Sequence, residues 1–397
     1  MAMQEHPEHT RGRLLTGLER KIVVVGGGVA GLRTAEALRR HGFQGSLVGF
    51  GAEPIPPYER PQLSKVALQD ASWSGRMLPS SAEGFVWFLG MAAVGLSPER
   101  RRIELDDGRH VDFDALVIAT GRRAALLPNA PEALRLRTMA DAQRLRSVLF
   151  TKTGHLAIVG AGLVGSEVAS SARTLGWDVT IVDGSPNPLA ETLGTTPAGW
   201  VWDQHREHDV HLHFGNPVTA VRPAGGYQRV VLADGSTLDA DAVLSAVGTT
   251  PNTFWLEGSG LDTTDGVRTN ENQQALTTAG DSAVDIVAVG DVASGPAGVW
   301  DHWSTATTDA ERAAAALLGH PQATYTPPTF STELYTHDLH VVGYPHGTES
   351  TTAQSPTSLC VRYHEKDRLS GAVVVNQPEQ LSALQREVSE QQDGTQR

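Results

Sequence analysis

The stretch Ile22-Val23-Val24-Val25-Gly26-Gly27-Gly28-Val29-Ala30-Gly31 decides the fold. Successive β-branched apolar residues read as a short strand covered on both faces, as in a parallel sheet. Gly26, Gly28 and Gly31 then fit G-x-G-x-x-G, the turn from strand to helix that lets a backbone approach a pyrophosphate held at the helix N-terminus. The pattern occurs again. Leu156-Ala157-Ile158-Val159 runs into Gly160-Ala161-Gly162-Leu163-Val164-Gly165. Each fingerprint is followed about 20 positions on by an acid placed to accept from a ribose hydroxyl, Glu53 and Asp183. One such motif suggests a dinucleotide. Two suggest two dinucleotides facing each other, a flavin and a nicotinamide.

The surroundings of the two fingerprints share one grammar. The first predicts a helix over 30–40 capped by Gly42, a strand over 46–50, a hairpin about Asp106-Asp107-Gly108, and a buried strand over 115–119 leading into Thr120-Gly121. The second predicts a strand over 156–159, a helix over 164–175, a strand over 179–182, a hairpin at Asp234-Gly235 and a strand over 242–246. Leu105…Gly108…Asp114-Ala115…Gly121 and Leu232…Gly235…Asp241-Ala242…Gly248 run in register, which an internal duplication explains. A further strand, Asp285 to Val289, leads into Gly290-Asp291. The expected organisation is a polar leader (1–20), a discontinuous first dinucleotide domain (21–121 and 250–325), a second (122–249), and a small α+β domain (326–397) with three strand-like runs and a closing helix. The expected fold class is α/β, with two Rossmann-like dinucleotide-binding domains in a plan that resembles the glutathione-reductase type.

Composition narrows the function. Among 397 residues, 45 acidic against 32 basic side chains give a net charge of −13, which argues against nucleic acid. A local basic patch from Arg100-Arg101-Arg102, Arg122-Arg123 and the 135–146 stretch stays open. The single cysteine, Cys360, rules out a disulfide framework, a cysteine zinc site, an iron–sulfur cluster of the chain's own and a redox C-x-x-C. It sits in the apolar run Leu359-Cys360-Val361 and reads as core. No run approaches the roughly 18 apolar residues of a membrane span. The leader, with His6 and His9, lacks an apolar signal core, so a cytoplasmic location is expected. His205, His208, His211 and His213 cluster near Trp200 and Trp202 and read as a solvated helix face rather than a metal site.

Pro57-Tyr58-Glu59-Arg60-Pro61-Gln62-Leu63-Ser64-Lys65 resembles the PYERPPLSK signature of FAD-dependent, NAD(P)H-linked ferredoxin reductases, relatives of the pyridine nucleotide-disulphide oxidoreductases without the redox disulfide. The resemblance spans about residues 21–319 and includes both fingerprints, Ala119-Thr120-Gly121, Ala246-Val247-Gly248 with Pro251-Asn252, and Val289-Gly290-Asp291-Val292-Ala293. It implies that Arg60 touches the FAD pyrophosphate, that Lys65 lies near the isoalloxazine N5 and pairs with Glu167, and that Asp291 hydrogen-bonds the ribityl chain. A lysine–carboxylate pair suits reduced flavin electrostatics. Asp291 also reads as a helix N-cap. Asp183, with no arginine in Gly184-Ser185-Pro186-Asn187-Pro188, favours NADH over NADPH.

The chain departs from that family near the expected flavin. Asp301-His302-Trp303 stands for Glu-x-Trp, keeping Trp303; Val299 replaces an arginine and Asp309 a glutamine. Thr329-Phe330-Ser331 keeps only Phe330 of a Trp-Phe-Trp-like stretch. The function implied is hydride transfer from NADH to FAD, then single electrons to a [2Fe–2S] ferredoxin serving a P450 or Rieske oxygenase, by a monomer or homodimer. A two-electron enzyme acting on a small organic substrate, quinone or O2, and a redox-sensing interaction protein, are the alternatives.

Overall fold

The structure, a computed structural model, describes residues 19–296, 303–322 and 326–393. The leader read over 1–20 lies almost wholly outside them. The described residues divide into two compact units, one drawn from residues 19–57, 78–121, 251–296 and 303–322, the other from 58–77, 122–250 and 326–393.

The first unit is built on a six-stranded sheet in the order Gln274–Leu276, Ser282–Ala288, Ala115–Ile118, Lys21–Val25, Ser46–Gly51, Val86–Leu89. Its strands run parallel except Gln274–Leu276, which pairs antiparallel with its neighbour. Lys21–Val25 is central, so its β-branched side chains are buried on both faces, as a strand inside a parallel sheet requires. One face packs the fingerprint helix Val29–Arg40 and the helix Trp303–Leu318 through Ala35, Leu38, Ala313 and Leu317; the other packs Trp255, Leu256 and Ile103.

The second unit repeats the core of this plan. Its parallel sheet runs Val210–Phe214, Asp178–Asp183, His155–Val159, Ala242–Ser245, with the helix Leu163–Thr174 following the second fingerprint. The repeated aspartates have one job in both units. Asp114 accepts from the backbone N of Lys21 at 2.8 Å and from Arg20 at 3.0 Å, while its own N donates to the Lys21 carbonyl. Asp241 accepts from the N of His155 at 2.9 Å and from Lys152 at 2.5 Å, and its N donates to the His155 carbonyl. Each aspartate therefore pins the start of the fingerprint strand to the returning strand. Lys152 holds the Asp241 carboxyl below its ordinary pKa.

The second unit also carries a five-stranded antiparallel sheet, Thr329–Leu334, His337–Gly343, Arg368–Val375, Ser358–Glu365, Thr348–Ser355, covered by the helix Leu381–Asp393 through Leu384 and Val388. Cys360 is buried and unpaired in it. The segment Tyr58–Met77, assigned from sequence to the first dinucleotide domain, belongs to this unit. Arg146 explains why: it donates to the carbonyls of Ala67, Asp70 and Trp73 at 3.3, 3.0 and 2.8 Å, closing the segment onto the helix Met139–Thr151. Among the described residues no helix is long and apolar enough to cross a membrane, and no group of three His, Cys, Asp or Glu is placed to hold a metal ion.

The histidine cluster is solvated only in part. His205 is fully buried on the helix Thr195–Glu207. It stacks on Trp202, and its Nδ1 lies 2.8 Å from the Tyr335 hydroxyl. His208 stacks on the Tyr335 ring. Local periodicity missed this because Tyr335 arrives from the C-terminal sheet. His211 and His213 remain exposed. Burial, reinforced by His208, pushes His205 down to about 3. Its neutral ring thus contributes stability that is full above the ordinary value of 6.5 and is lost as pH falls from there towards 3. Urea unfolding from pH 7 to 4 should show a loss of up to about 1.4 kcal/mol per pH unit from this group. His205→Gln should flatten that limb.

Candidate active site

The glycines of both fingerprints divide the labour alike. Gly26 has φ +129, and a Cβ there would lie 2.0 Å from the Ala119 carbonyl oxygen; Gly160 has φ +109 and would meet the Ala246 oxygen at 2.2 Å. These positions admit no side chain and set the turn. The middle glycines differ. A Cβ on Gly28 or Gly162 meets nothing within 4 Å, and neither helix start is capped by a side chain. Unpaired N–H groups and the positive end of the helix dipole thus face open space, a cradle for a diphosphate. Both cradles fit a dinucleotide.

In the first unit the cradle is flanked by two loops. Thr120 Oγ1 donates to the Asn252 carbonyl at 2.8 Å, and Asn252 returns a bond from Nδ2 to the Thr120 carbonyl at 2.9 Å and one from its N to the Gly121 carbonyl. This zips Ala119-Thr120-Gly121 to the chain re-entering the unit. Gly290, at φ +66, presses on the fingerprint helix, where its Cβ would come within 2.7 Å of the Ala30 Cβ. Asp291 is half-buried beside it. The N-cap reading of Asp291 is corrected: it lies inside the short 3-10 turn Gly290–Val292, and a strand, Ala293–Ser294, follows it. Glu53 stands half-buried just past the strand Ser46–Gly51, its carbonyl accepting from Gly90 N. Val299, Asp301, His302 and the Trp303 side chain lie outside the described residues.

In the second unit Lys65 and Glu167 meet. Lys65 Nζ is 2.5 Å from Glu167 Oε1, and both side chains are largely buried. The same carboxylate accepts from Ser64 Oγ and, at 2.5 Å, from Thr332 Oγ1. Three segments distant in sequence thus converge on one carboxylate: the 3-10 turn Arg60–Ser64 with Lys65, the fingerprint helix, and the first strand of the C-terminal sheet. Charge-assisted bonds of this kind are the strong ones. Sequence reasoning found the ion pair but neither hydroxyl. Ser64 adjoins Lys65 and was findable; Thr332 carries no local signal.

Asp183 closes its strand with Oδ2 accepting from Ala161 N and Oδ1 from Ser185 N, each at 2.7 Å. It ties the fingerprint loop to the turn beyond, and its remaining lone pairs can accept from a ribose. Leu163 is half-buried; Val164 is 42% and Val247 39% exposed around the open Gly162 and Gly248, leaving apolar surface at the cradle. Arg60 lies over the Tyr58 ring, donates to its hydroxyl at 3.0 Å and to the Arg137 carbonyl.

The sequence profile of the pyridine nucleotide-disulphide oxidoreductases matches residues 20–310. The chain belongs to that family. This oxidoreductase is 31% identical over 385 residues, 93% of each chain, to the ferredoxin–NAD(+) reductase component of the p-cumate 2,3-dioxygenase system of Pseudomonas putida. It is 31% identical over 376 residues to rhodocoxin reductase of Rhodococcus erythropolis, covering 90% of this chain and 86% of that one. Among solved structures, the covalent putidaredoxin reductase–putidaredoxin complex aligns with TM-score 0.86 and 26% identity over 94% of both chains. The resemblance read from the signature at 57–65 therefore holds, as does the α/β class with paired dinucleotide folds.

The Lys65–Glu167 network gives the oxidoreductase a measurable signature. Glu167→Ala strands a buried ammonium and should cost about 3 kcal/mol in urea unfolding. Thr332→Val should cost about 1 kcal/mol, and Thr332→Ser almost none.

Proposed function

We propose that the chain is an NADH-dependent ferredoxin reductase that holds FAD in its first unit and NADH in its second. The observation that carries this is the pair of diphosphate cradles in a chain whose one cysteine is buried. With no dithiol to relay them, electrons must leave from the flavin to an external acceptor. Relatives of this chain are named as ferredoxin–NAD(+) reductase components of dioxygenase systems. We take the acceptor to be a [2Fe–2S] ferredoxin that serves a P450 or Rieske oxygenase, and the location to be the cytoplasm, where NADH is regenerated. A monomer or homodimer suffices, since one chain carries both cradles.

When bound, FAD supplies acceptance of a hydride and release of its two electrons one at a time. The chain's own residues do the rest. The helix start at Gly28 and Gly31 receives the FAD pyrophosphate, Glu53 the ribose, and Asp291 the ribityl chain, with Ala30, Ala119, Thr120, Gly121 and Gly290 shaping the walls. The family resemblance gives Arg60 the role of a positive charge for the pyrophosphate. The helix start at Gly160, Gly162, Leu163, Val164 and Gly165 receives the NADH pyrophosphate. Asp183 accepts from the 2′-hydroxyl and repels a 2′-phosphate, so NADPH is the weaker donor. Lys65, held by Glu167, Ser64 and Thr332, is the cation that offsets the charge arriving with the hydride. Trp303 is assigned to the flavin's pyrimidine end.

Thr329 and Ser331, in place of aromatic residues, favour a second reading: a two-electron enzyme for a small organic substrate, a quinone or O2. A stopped-flow mix with NADH under nitrogen, then with a [2Fe–2S] ferredoxin, separates the two. Fast bleaching followed by reoxidation on adding ferredoxin is expected. Bleaching that only quinone or air reverses would favour the small-substrate enzyme. No bleaching would sink both.

A further inference from the structure

The first unit contains a buried carboxyl that the proposed chemistry leaves unused. Asp309, 9% exposed on the helix Trp303–Leu318, stands where the resembling family has a glutamine. Its Oδ2 accepts from the backbone N of Gly290 at 3.2 Å, and its Oδ1 accepts from Gln273 Nε2 at 3.0 Å. Gln273 is itself buried, with φ +62, and its carbonyl accepts from Ala288 N at 2.9 Å. A left-handed backbone at a non-glycine residue is strained and persists where the surroundings impose it. The other end of the Gln273 amide, Oε1, is buried and has no partner among the described residues. Gly290 in turn presses on Ala30. A continuous chain of contacts therefore runs from Gln273 through Asp309 and the Gly290–Asp291 turn to the first fingerprint helix.

The orphaned oxygen is informative. An amide offers N–H from one end and a carbonyl from the other, and the two are interchanged by rotation. An ionised Asp309 takes the N–H. A protonated Asp309 needs an acceptor, and Gln273 Oε1 is within reach once the amide turns. The same packing thus serves both protonation states, where a glutamine at 309 would serve one. We propose that Asp309 is a positioning residue for the flavin: with Gln273 it clamps the Gly290–Asp291 turn, and the proton on its carboxyl sets how tightly that turn holds FAD. This rests on the assignment of FAD to the first unit.

The electrostatics supply the direction. Burial pushes Asp309 up to about 7, and Asp291 adds to it; the Gly290 N–H and Arg312 oppose. Charged residues on the elements packed against its helix are engaged elsewhere. Arg33 pairs with Glu36, Arg40 and His41 with Glu311, Arg101 with Asp285, and Arg39 donates to the carbonyls of Phe43, Gly45 and Glu83. A carboxyl with a raised pKa costs the folded state stability above its ordinary value of 3.8, and the full cost is reached above about 7. FAD brings further negative charge, so it binds better to the protonated form. FAD is held more tightly at pH 6 than at pH 8.

The test uses the FAD-loaded full chain, with flavin release read as recovered fluorescence on dilution at pH 6, 7 and 8. Release should quicken at least about threefold from pH 6 to 8 in the wild type. In Asp309→Asn, and in Asp309→Gln, it should be flat and slower than wild type at pH 8. Thermal unfolding of the flavin-free chain gives a readout independent of FAD: the wild type should lose stability from pH 6 to 8 relative to Asp309→Asn. Equal pH slopes of flavin release in wild type and both variants would overturn the clamp, whatever the unfolding shows. A chain that binds no FAD, but whose unfolding shows the difference, would overturn the cofactor assignment and leave the buried titration standing.

Discussion

Each unit depends on one contact that leaves no room for a side chain. Gly26 lies under the Ala119 carbonyl and Gly160 under the Ala246 carbonyl. That contact ends the central strand, turns the chain through a left-handed backbone that glycine alone adopts cheaply, and aims a helix start outward with its N–H groups unpaired. At the other end of the same strands, Asp114 and Asp241 pin the register through paired backbone bonds. Between pin and turn the strands have no freedom to slip, so the cradles stand where the sheet puts them. Binding chemistry is thus a consequence of strand termination.

Acidic side chains show how environment divides roles. Asp183 spends its carboxylate on backbone amides and organises a loop. Glu167 collects an ammonium and two hydroxyls and so keeps a cation fixed in a mostly buried place. Asp309 receives neutral N–H groups and, among the described residues, no direct cation, so burial governs its proton. Preorganised dipoles and charges are what a protein contributes to cofactor chemistry that the cofactor itself performs.

What was legible in the sequence was local. Glycine spacing marked both turns, and the register of Leu105–Gly121 against Leu232–Gly248 marked the duplication, because both patterns live within single strand–helix or hairpin units. Most boundaries around the two fingerprints moved by about a residue, as helix ends do, while the strand read from Asp285 to Val289 runs over Ser282–Ala288. What escaped was set by residues remote in sequence. Thr332 reaches Glu167 across 165 positions. Tyr335 covers His205 and makes a core residue of one that looked solvated. Arg146 draws residues 58–77 into the second unit although their motif belongs with the flavin reading. Asp291 looked like a cap because its helix was expected to follow at once.

The central claim is that one chain carries two non-equivalent dinucleotide sites. Counting ligands tests it most directly: flavin content of the purified chain, then calorimetric titration with NAD+, for the wild type and Gly162→Val. One flavin and one NAD+ per chain are expected, with the substitution abolishing NAD+ binding and leaving flavin content unchanged. Two equivalents of one dinucleotide, or loss of flavin on changing Gly162, would contradict it.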